Sequence, residues 1–256
     1  MYGGLAYCTF IESMINLTSF LGVNKIQFNY EFVYNESLIT RGRNTLVDKF
    51  LKSDCDVILF IDADIGFNWH SVIEMLELMA TDEDKKILCA TYPKKSINWD
   101  NINKAYKNNF INESTDAIKY SSSFVLNYSA NESENVIFDL SKPVKVRESG
   151  TGFMMIHREV FNKFKKNYPD QMSFNPETKT DIFYYFDCKI DPETKIYLSE
   201  DYMFCQYAGK IGYDTWILPW INLCHTGGYM FQGSFSEDAK MYHIINDLPA
   251  EPTVEK

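Results

Sequence analysis

Asp56-Val57-Ile58-Leu59-Phe60-Ile61-Asp62-Ala63-Asp64 decides how the rest of the chain is read. The apolar run Val57 to Ile61 is too short for a separate helix and does not alternate, so it reads as a strand covered on both faces and central in its sheet. It stops at two aspartates one residue apart. In an extended segment the side chains at i and i+2 share a face, so Asp62 and Asp64 are expected to converge on one point. In open α/β sheets, ligands bind beyond the carboxyl ends of the strands. Two carboxylates there offer the oxygen-only bite of a hard divalent ion, Mg²⁺ or Mn²⁺, which can neutralise a diphosphate. The plain alternative is a polar turn after a strand, and the tripeptide alone does not separate the two.

The totals set the bounds. With 256 residues, 45% hydrophobic and 23% charged, the chain has globular composition and the length of one large α/β domain. That domain is expected over 1–247, followed by a loose tail over 248–256 that carries Pro249 and Pro252. A formal net charge of -10 argues against nonspecific nucleic-acid binding. An anionic substrate would therefore need a local metal or arginine cluster. No apolar run reaches the roughly 20 residues of a membrane span, and no signal peptide is evident. The six cysteines have no zinc-ligand spacing, which points to reduced thiols and a cytoplasmic setting. Arginine occurs only at Arg41, Arg43, Arg147 and Arg158, against abundant lysine. Such usage hints at AT-rich coding, as in a virus or a low-GC microbe, and a viral chain would work in the host cytoplasm.

Along the chain, helical and extended patterns alternate. Cys8 to Leu21 carries a helical stripe, and Lys25 to Tyr34 alternates like a strand. A helix capped by Asn35 or Ser37 then runs to about Leu51. After the aspartates, Asn68 caps a helix bearing Val72, Ile73, Leu76 and Met79, and Lys86 to Thr91 is a buried strand. This order predicts a parallel sheet with right-handed crossovers. The chain opens with Gly3-Gly4, a turn where a strand is due, so the first strand is short or missing. Trp99 to Lys145 reads as an irregular excursion with one hairpin, Ser123–Tyr128 against Asn135–Leu140. A glycine turn at Ser149–Gly152 leads into a strand and then a helix from His157 to Phe164. Ser199-Glu200-Asp201 opens a helix that stops near Gly209, and Thr215 to Leu223 is a last extended segment before Cys224-His225-Thr226-Gly227-Gly228.

Taken together, these pieces resemble the GT-A glycosyltransferases, of the small family-2-like type of large viruses and phages. The matching pieces are Tyr2-Gly3-Gly4, the run Asn35 to Asn44, Ile61-Asp62-Ala63-Asp64, Tyr92-Pro93-Lys94-Lys95, Ser149 to Phe153, Glu200-Asp201-Tyr202 and His225. They span roughly residues 2–230 in the expected order. The resemblance implies a single-domain, Rossmann-like α/β fold with a mostly parallel central sheet flanked by helices. It implies transfer of a sugar from a nucleotide-diphosphate donor to a hydroxyl of a glycan or glycoprotein acceptor, with inversion. In the family the aspartate pair holds the metal on the donor's diphosphate, so Asp62, Asp64 and His225 are the implied ligands. An imidazole beside carboxylates favours Mn²⁺ over Mg²⁺. Tyr2, Arg41, Arg43, Asn44 and Asp62 are carried over as donor-binding residues. Asp201 is the implied base, with Glu200 binding acceptor or positioning the loop.

On their own chemistry several of these residues keep two readings. Arg41 and Arg43 form either a solvated helix face or contacts to diphosphate or base–ribose, with Asn44 as a polar helper. Lys94 and Lys95 are either surface lysines or groups that reach phosphate or acceptor. Gly150 and Gly152 either let backbone approach a sugar or make a tight turn. Trp69 and Trp99 are candidates to stack a sugar, whereas Trp216 and Trp220 read as core. Ser199 is expected to cap its helix, whose N-terminus favours ionised carboxylates. Two other functions share the fold. A nucleotidyltransferase making nucleotide sugars would want a basic glycine-rich loop near the first strand, which Tyr2-Gly3-Gly4 lacks. A catalytically silent carbohydrate-binding protein would be marked by loss of the metal carboxylates, and here they are present.

Overall fold

The predicted helices and strands are largely present, but the sheet they build is mixed. In the computed structural model the described residues are 4–127, 139–175 and 179–247. Tyr2, the tail 248–256 and one side of the expected hairpin (135–138) lie outside them. Helix α1 (Cys8–Val23) buries Phe10, Ser13, Leu17 and Leu21 along one stripe. Helix α2 (Ile39–Leu51) starts after Leu38, without a side-chain cap from Asn35 or Ser37. The Glu36 carboxylate does the local anchoring instead. It accepts the Leu38 N–H at 2.9 Å and both Arg41 nitrogens at 2.6 and 2.8 Å.

Strand β1 (Val57–Ile61) follows, then β2 (Ile65–Gly66), α3 (Trp69–Thr81) and β3 (Ile87–Cys89). Asn68 caps α3 as expected, accepting the His70 N–H at 3.0 Å. The excursion contains helix α4 (Trp99–Lys107), a 3₁₀ turn over Ser114–Tyr120 and β4 (Leu126–Asn127). Then come β5 (Val144–Val146), β6 (Glu148–Ser149), β7 (Phe153–His157) and α5 (Arg158–Asn167). Two hairpins, β8 (Met172–Asn175) with β9 (Thr180–Phe183) and β10 (Lys189–Ile190) with β11 (Tyr197–Leu198), lead to α6 (Glu200–Lys210). The chain continues through β12 (Thr215–Ile217), β13 (Cys224–Thr226), β14 (Met230–Phe231) and α7 (Phe235–Asp247).

The central sheet has five strands in the order β1-β7-β3-β12-β5. Only β3 and β12 run parallel; the other three pairings are antiparallel. The expectation of a mostly parallel sheet fails because β7, which returns after the long excursion, inserts between β1 and β3 against both. The expectation that β1 is central fails with it. Among the described residues β1 pairs with β7 alone and stands at the edge. Its two faces are nevertheless covered. Val57, Leu59 and Ile61 pack into a cluster with Leu17 and Leu21 of α1, while Ile58 and Phe60 join Val47 and Phe50 of α2.

Two further expectations are corrected. Lys25–Tyr34 joins no ladder among the described residues, although its alternating rings Phe28, Tyr30, Phe32 and Tyr34 follow one another at 5.6 to 6.4 Å. Leu126–Asn127 pairs with β6, and most of the expected partner stretch after Asn135 lies outside the described residues. The extended segment Thr215–Leu223 breaks at the Leu218–Ile221 turn, which contains Pro219, so β12 enters the central sheet and β13 a second one. That second sheet, β14-β13-β2, sets the position of His225 described below.

Helix α7 is tied to α4 by a partly buried carboxylate. Asp238 accepts the Asn101 side-chain N–H at 2.5 Å, and Tyr242 donates to Asn101 Oδ1 at 3.0 Å. Burial raises the Asp238 carboxyl to about 6, against the opposing pull of Asn101 and Lys104. A raised folded-state value means that the unfolded chain ionises first as pH rises. Stability is then lost between about pH 4 and pH 6 and stays lost above. Asp238→Asn keeps the acceptor for Asn101 and removes the charge. The variant is expected to match the wild type at pH 4 and exceed it by about 1 to 2 kcal/mol at pH 7.5, as read by urea unfolding at both pH values.

Candidate active site

The functional side chains gather where β1 and β3 end and β7 begins. Strand β1 stops at Ile61 because the chain turns: the Ile65 N–H bonds to the Asp62 carbonyl at 3.0 Å. Asp62-Ala63-Asp64 is therefore a turn and not an extended segment, and the two carboxylates do not share a face. Asp62 points to Arg43, with Nη2 to Oδ1 at 3.4 Å. Asp64 points to Lys95 Nζ at 2.6 Å and to His225 Nε2 at 3.4 Å. Among the described residues no three His, Cys, Asp or Glu side chains are gathered closely enough to hold an ion between them.

The second sheet brings His225 to Asp64. Strand β13 pairs with β2, placing His225 opposite Ile65, and the Thr226 N–H bonds to the Asp64 carbonyl at 2.8 Å. The imidazole lies edge-on to Tyr92, with centroids 5.4 Å apart, and its Nδ1 sits 2.8 Å from the Pro93 carbonyl. A carbonyl only accepts, so Nδ1 carries a hydrogen, and that bond fixes the ring with Nε2 toward Asp64. An imidazole nitrogen held this way beside a carboxylate is a fitting donor pair for a divalent ion. Burial works to raise the Asp64 carboxyl, but the facing His225 ring and the Lys95 ammonium outweigh it and bring it down to about 2. Asp64 is thus ionised at neutral pH.

Arg43 ties the aspartate turn to α6. It is 7% exposed, lies 5.6 Å over the Phe60 ring, and bonds to Asp62 and to Glu200, the latter from Nε at 3.2 Å. Its remaining Nη1 reaches the Thr151 carbonyl at 3.5 Å. Arg43 is therefore neither solvated nor free: its guanidinium is committed to two carboxylates and a backbone oxygen. Asn44 is wholly buried and spends its amide on backbone. Its Nδ2 donates to Thr40 and Phe186 carbonyls at 2.8 and 2.7 Å, and its Oδ1 accepts the Tyr185 and Phe186 N–H groups at 2.8 and 3.0 Å. Arg41 faces outward in the pair with Glu36.

Asp201 stands at the first turn of α6 beside Glu200. Its Oδ1 accepts the Ser199 hydroxyl in a short hydrogen bond and the Tyr202 N–H at 2.8 Å. Ser199 makes no side-chain cap to the helix, because its hydroxyl serves Asp201 instead. Burial, then the neighbouring Glu200 charge, raises the Asp201 carboxyl above the ordinary aspartate value. The expected stabilisation of the anion by the helix N-terminus is outweighed. The result is a stronger base than a solvated aspartate. Thiol chemistry finds no support at this end of the sheet: burial lifts Cys89 well above its ordinary value and Cys205 to about 12, and inert buried cysteines behave this way.

Tyr92 is the residue the sequence underrated. It is buried and sits against the Gly150–Gly152 turn, where the Gly152 N–H donates to its hydroxyl at 3.3 Å. A Cβ at Gly152 would meet Tyr92 Cζ at 2.7 Å, so the close approach that glycine permits here is taken by this ring. Burial, with the charges of Asp62 and Asp201, pushes its hydroxyl up, so it stays a neutral donor. A Tyr directly after a buried strand was the available signal. Of the tryptophans, Trp69 is stacked between Phe20 and His70 at 3.9 and 3.5 Å, which leaves neither face for a sugar, and Trp99 is exposed.

No protein-family model matches the sequence, and no curated protein matches it either. Among solved structures the chain is similar to the crystal structure of A197 from STIV, with a TM-score of 0.42 and 17% identity. The match covers 83% of this chain and 78% of that one. At that score the likeness decides nothing about this chain's chemistry.

Arg43→Met tests the tie between the two halves of the site. It removes the one cation that, among the described residues, pairs with Asp62 and Glu200, and one of those carboxylates is nearly buried. Breaking a buried pair from one side costs about 3–5 kcal/mol. Thermal and urea unfolding should show a loss of that order. A loss below about 1 kcal/mol, the range of an ordinary surface substitution, would mean that the ion triad does not hold the site together.

Proposed function

We propose that the chain is a metal-dependent glycosyltransferase that moves a sugar from a nucleotide-diphosphate donor to a hydroxyl of a carbohydrate acceptor, with inversion at the anomeric carbon. One observation carries the reading. The buried guanidinium of Arg43 joins Asp62, in the turn that also bears Asp64, to Glu200, the neighbour of Asp201. An anion-handling half and a base-bearing half are thereby held at one end of one sheet, where α/β folds bind ligands.

In this reading Asp64 and His225 would hold a divalent ion, Mn²⁺ in preference to Mg²⁺. When bound, the ion supplies positive charge to the leaving diphosphate. Asp201 takes the proton from the acceptor hydroxyl as its oxygen attacks the anomeric carbon. The bond from that carbon to the phosphate oxygen breaks, and its electron pair leaves with the nucleoside diphosphate. Glu200, locked to Arg43, keeps the α6 terminus in place. Its charge also helps to hold Asp201 basic. The Tyr92 hydroxyl, kept neutral by burial, feels the charges of both Asp62 and Asp201.

The test is transfer from a panel of UDP-, GDP- and TDP-sugars to simple glycosides. Chelation should abolish it and Mn²⁺ restore it. Asp201→Asn should keep donor affinity and lose turnover by about two to four orders of magnitude. Because the Asp201 carboxyl is raised, turnover should climb with pH on the acid side and level off once Asp201 is ionised. Near wild-type turnover by Asp201→Asn, or a product that keeps the donor's anomeric configuration, would overturn the assignment.

A further inference from the structure

The Lys95 ammonium lies 2.6 Å from Asp64 Oδ2, the same oxygen that faces His225 Nε2 at 3.4 Å. That oxygen is where the proposed metal would bind. The contact is built and not incidental. The backbone on either side of Lys95 is pinned, with the Lys94 N–H on the Ser123 carbonyl at 2.7 Å and the Asn98 N–H on the Ser121 carbonyl at 2.8 Å. The side chain then runs over Gly227, where a Cβ would meet Lys95 Cδ at 3.3 Å, so the absence of a side chain there gives the lysine stem its path. Gly227 follows directly on β13, the strand that carries His225. One segment thus supplies the imidazole and the clearance for the ammonium.

We infer that Lys95 is a displaceable internal cation. It neutralises Asp64 while the site is empty and shifts onto the donor's diphosphate when ion and donor bind together. A divalent ion and an ammonium cannot both sit on one carboxylate oxygen without strong like-charge repulsion, so the free ion must compete with Lys95. An anionic diphosphate removes the competition. It gives the ammonium a new partner within reach of a flexible four-carbon stem, and lysine binds phosphate as a point charge. The consequence is coupling: the site takes the ion poorly alone and well with a diphosphate. The ion's affinity and the diphosphate's affinity then rise together, as linkage requires. This inference rests on the metal site proposed above, and its test separates the two.

The experiment titrates Mn²⁺ into wild type, Lys95→Met and Asp64→Asn and follows the free ion by electron paramagnetic resonance. Each titration is run without and with inorganic pyrophosphate, which carries the shared anion and no base or sugar. Lys95→Met keeps an aliphatic stem over Gly227 and loses only the charge. It is expected to bind Mn²⁺ alone at least tenfold more tightly than wild type, and Asp64→Asn to bind it least. With pyrophosphate the order should reverse, wild type retaining the Mn²⁺–pyrophosphate complex more tightly than Lys95→Met. Equal Mn²⁺ affinity of wild type and Lys95→Met in both conditions, with Asp64→Asn still defective, would overturn the role of Lys95 and leave the metal site standing. No Mn²⁺ bound by any of the three proteins, with or without pyrophosphate, would remove the metal site and this inference with it.

Discussion

A single buried guanidinium organises the working end of this protein. Arg43 sits on α2, Asp62 at the end of β1 and Glu200 at the start of α6, elements far apart in sequence, and the ion pairs of Arg43 bring them to one place. Burying a charge is costly unless it is paired and hydrogen-bonded, so Arg43 can sit 7% exposed only with both carboxylates and the Thr151 carbonyl around it. The dependence is mutual. Asp62 and Glu200 in turn both take Arg43 as their ionic partner. The Phe60 ring beneath the guanidinium adds a cation–π contact and closes the site from below.

Around that centre each remaining group is held by backbone. His225 is aimed by the Pro93 carbonyl, the Asp64 main chain by Thr226, and Tyr92 by the Gly150–Gly152 turn. Asn44 clamps Tyr185 and Phe186, and Phe186 packs edge-on against Phe60 at 5.4 Å. The aromatic cluster is thereby tied to the strand that carries the aspartates. Such support fixes side-chain positions more tightly than the side chains could fix one another, which a preorganised site requires.

Much of this was legible in the sequence where the signal is local. Helical stripes gave α1, α3, α5 and α6 to within a few residues, and the Asn68 cap was read correctly, because capping and amphipathicity depend only on neighbours in the chain. Asp64 and His225, named together in the sequence as candidate ligands, lie 3.4 Å apart. What could not be read was non-local. Nothing in Phe153–His157 says that it will slot between β1 and β3 in reverse. Nothing in Arg43 distinguishes a solvated face from a buried triad. Helix α7 and helix α4 were missed for another reason: their buried contacts include polar ones, Asn101 with Asp238, which a search for apolar stripes passes over.

The edge position of β1 sharpens how an unalternating apolar run should be read. The inference from Val57–Ile61 was that the strand is covered on both faces, and it is, by α1 on one side and α2 on the other. The further step, from two covered faces to two neighbouring strands, does not follow. Covering helices act along the sheet normal, whereas strand neighbours act in the plane through backbone hydrogen bonds, and side-chain pattern reports only the first. The same separation explains Lys25–Tyr34. Its alternation describes side chains that take turns about an extended backbone, and it carries no information on whether a partner strand lies alongside. A sequence therefore specifies the layers of an α/β fold more directly than the order of strands within its sheet. The site formed here depends on both: on the layers for the burial of Arg43, and on strand order for bringing the β7 turn to Asp62, whose N–H meets the Gly152 carbonyl at 2.9 Å.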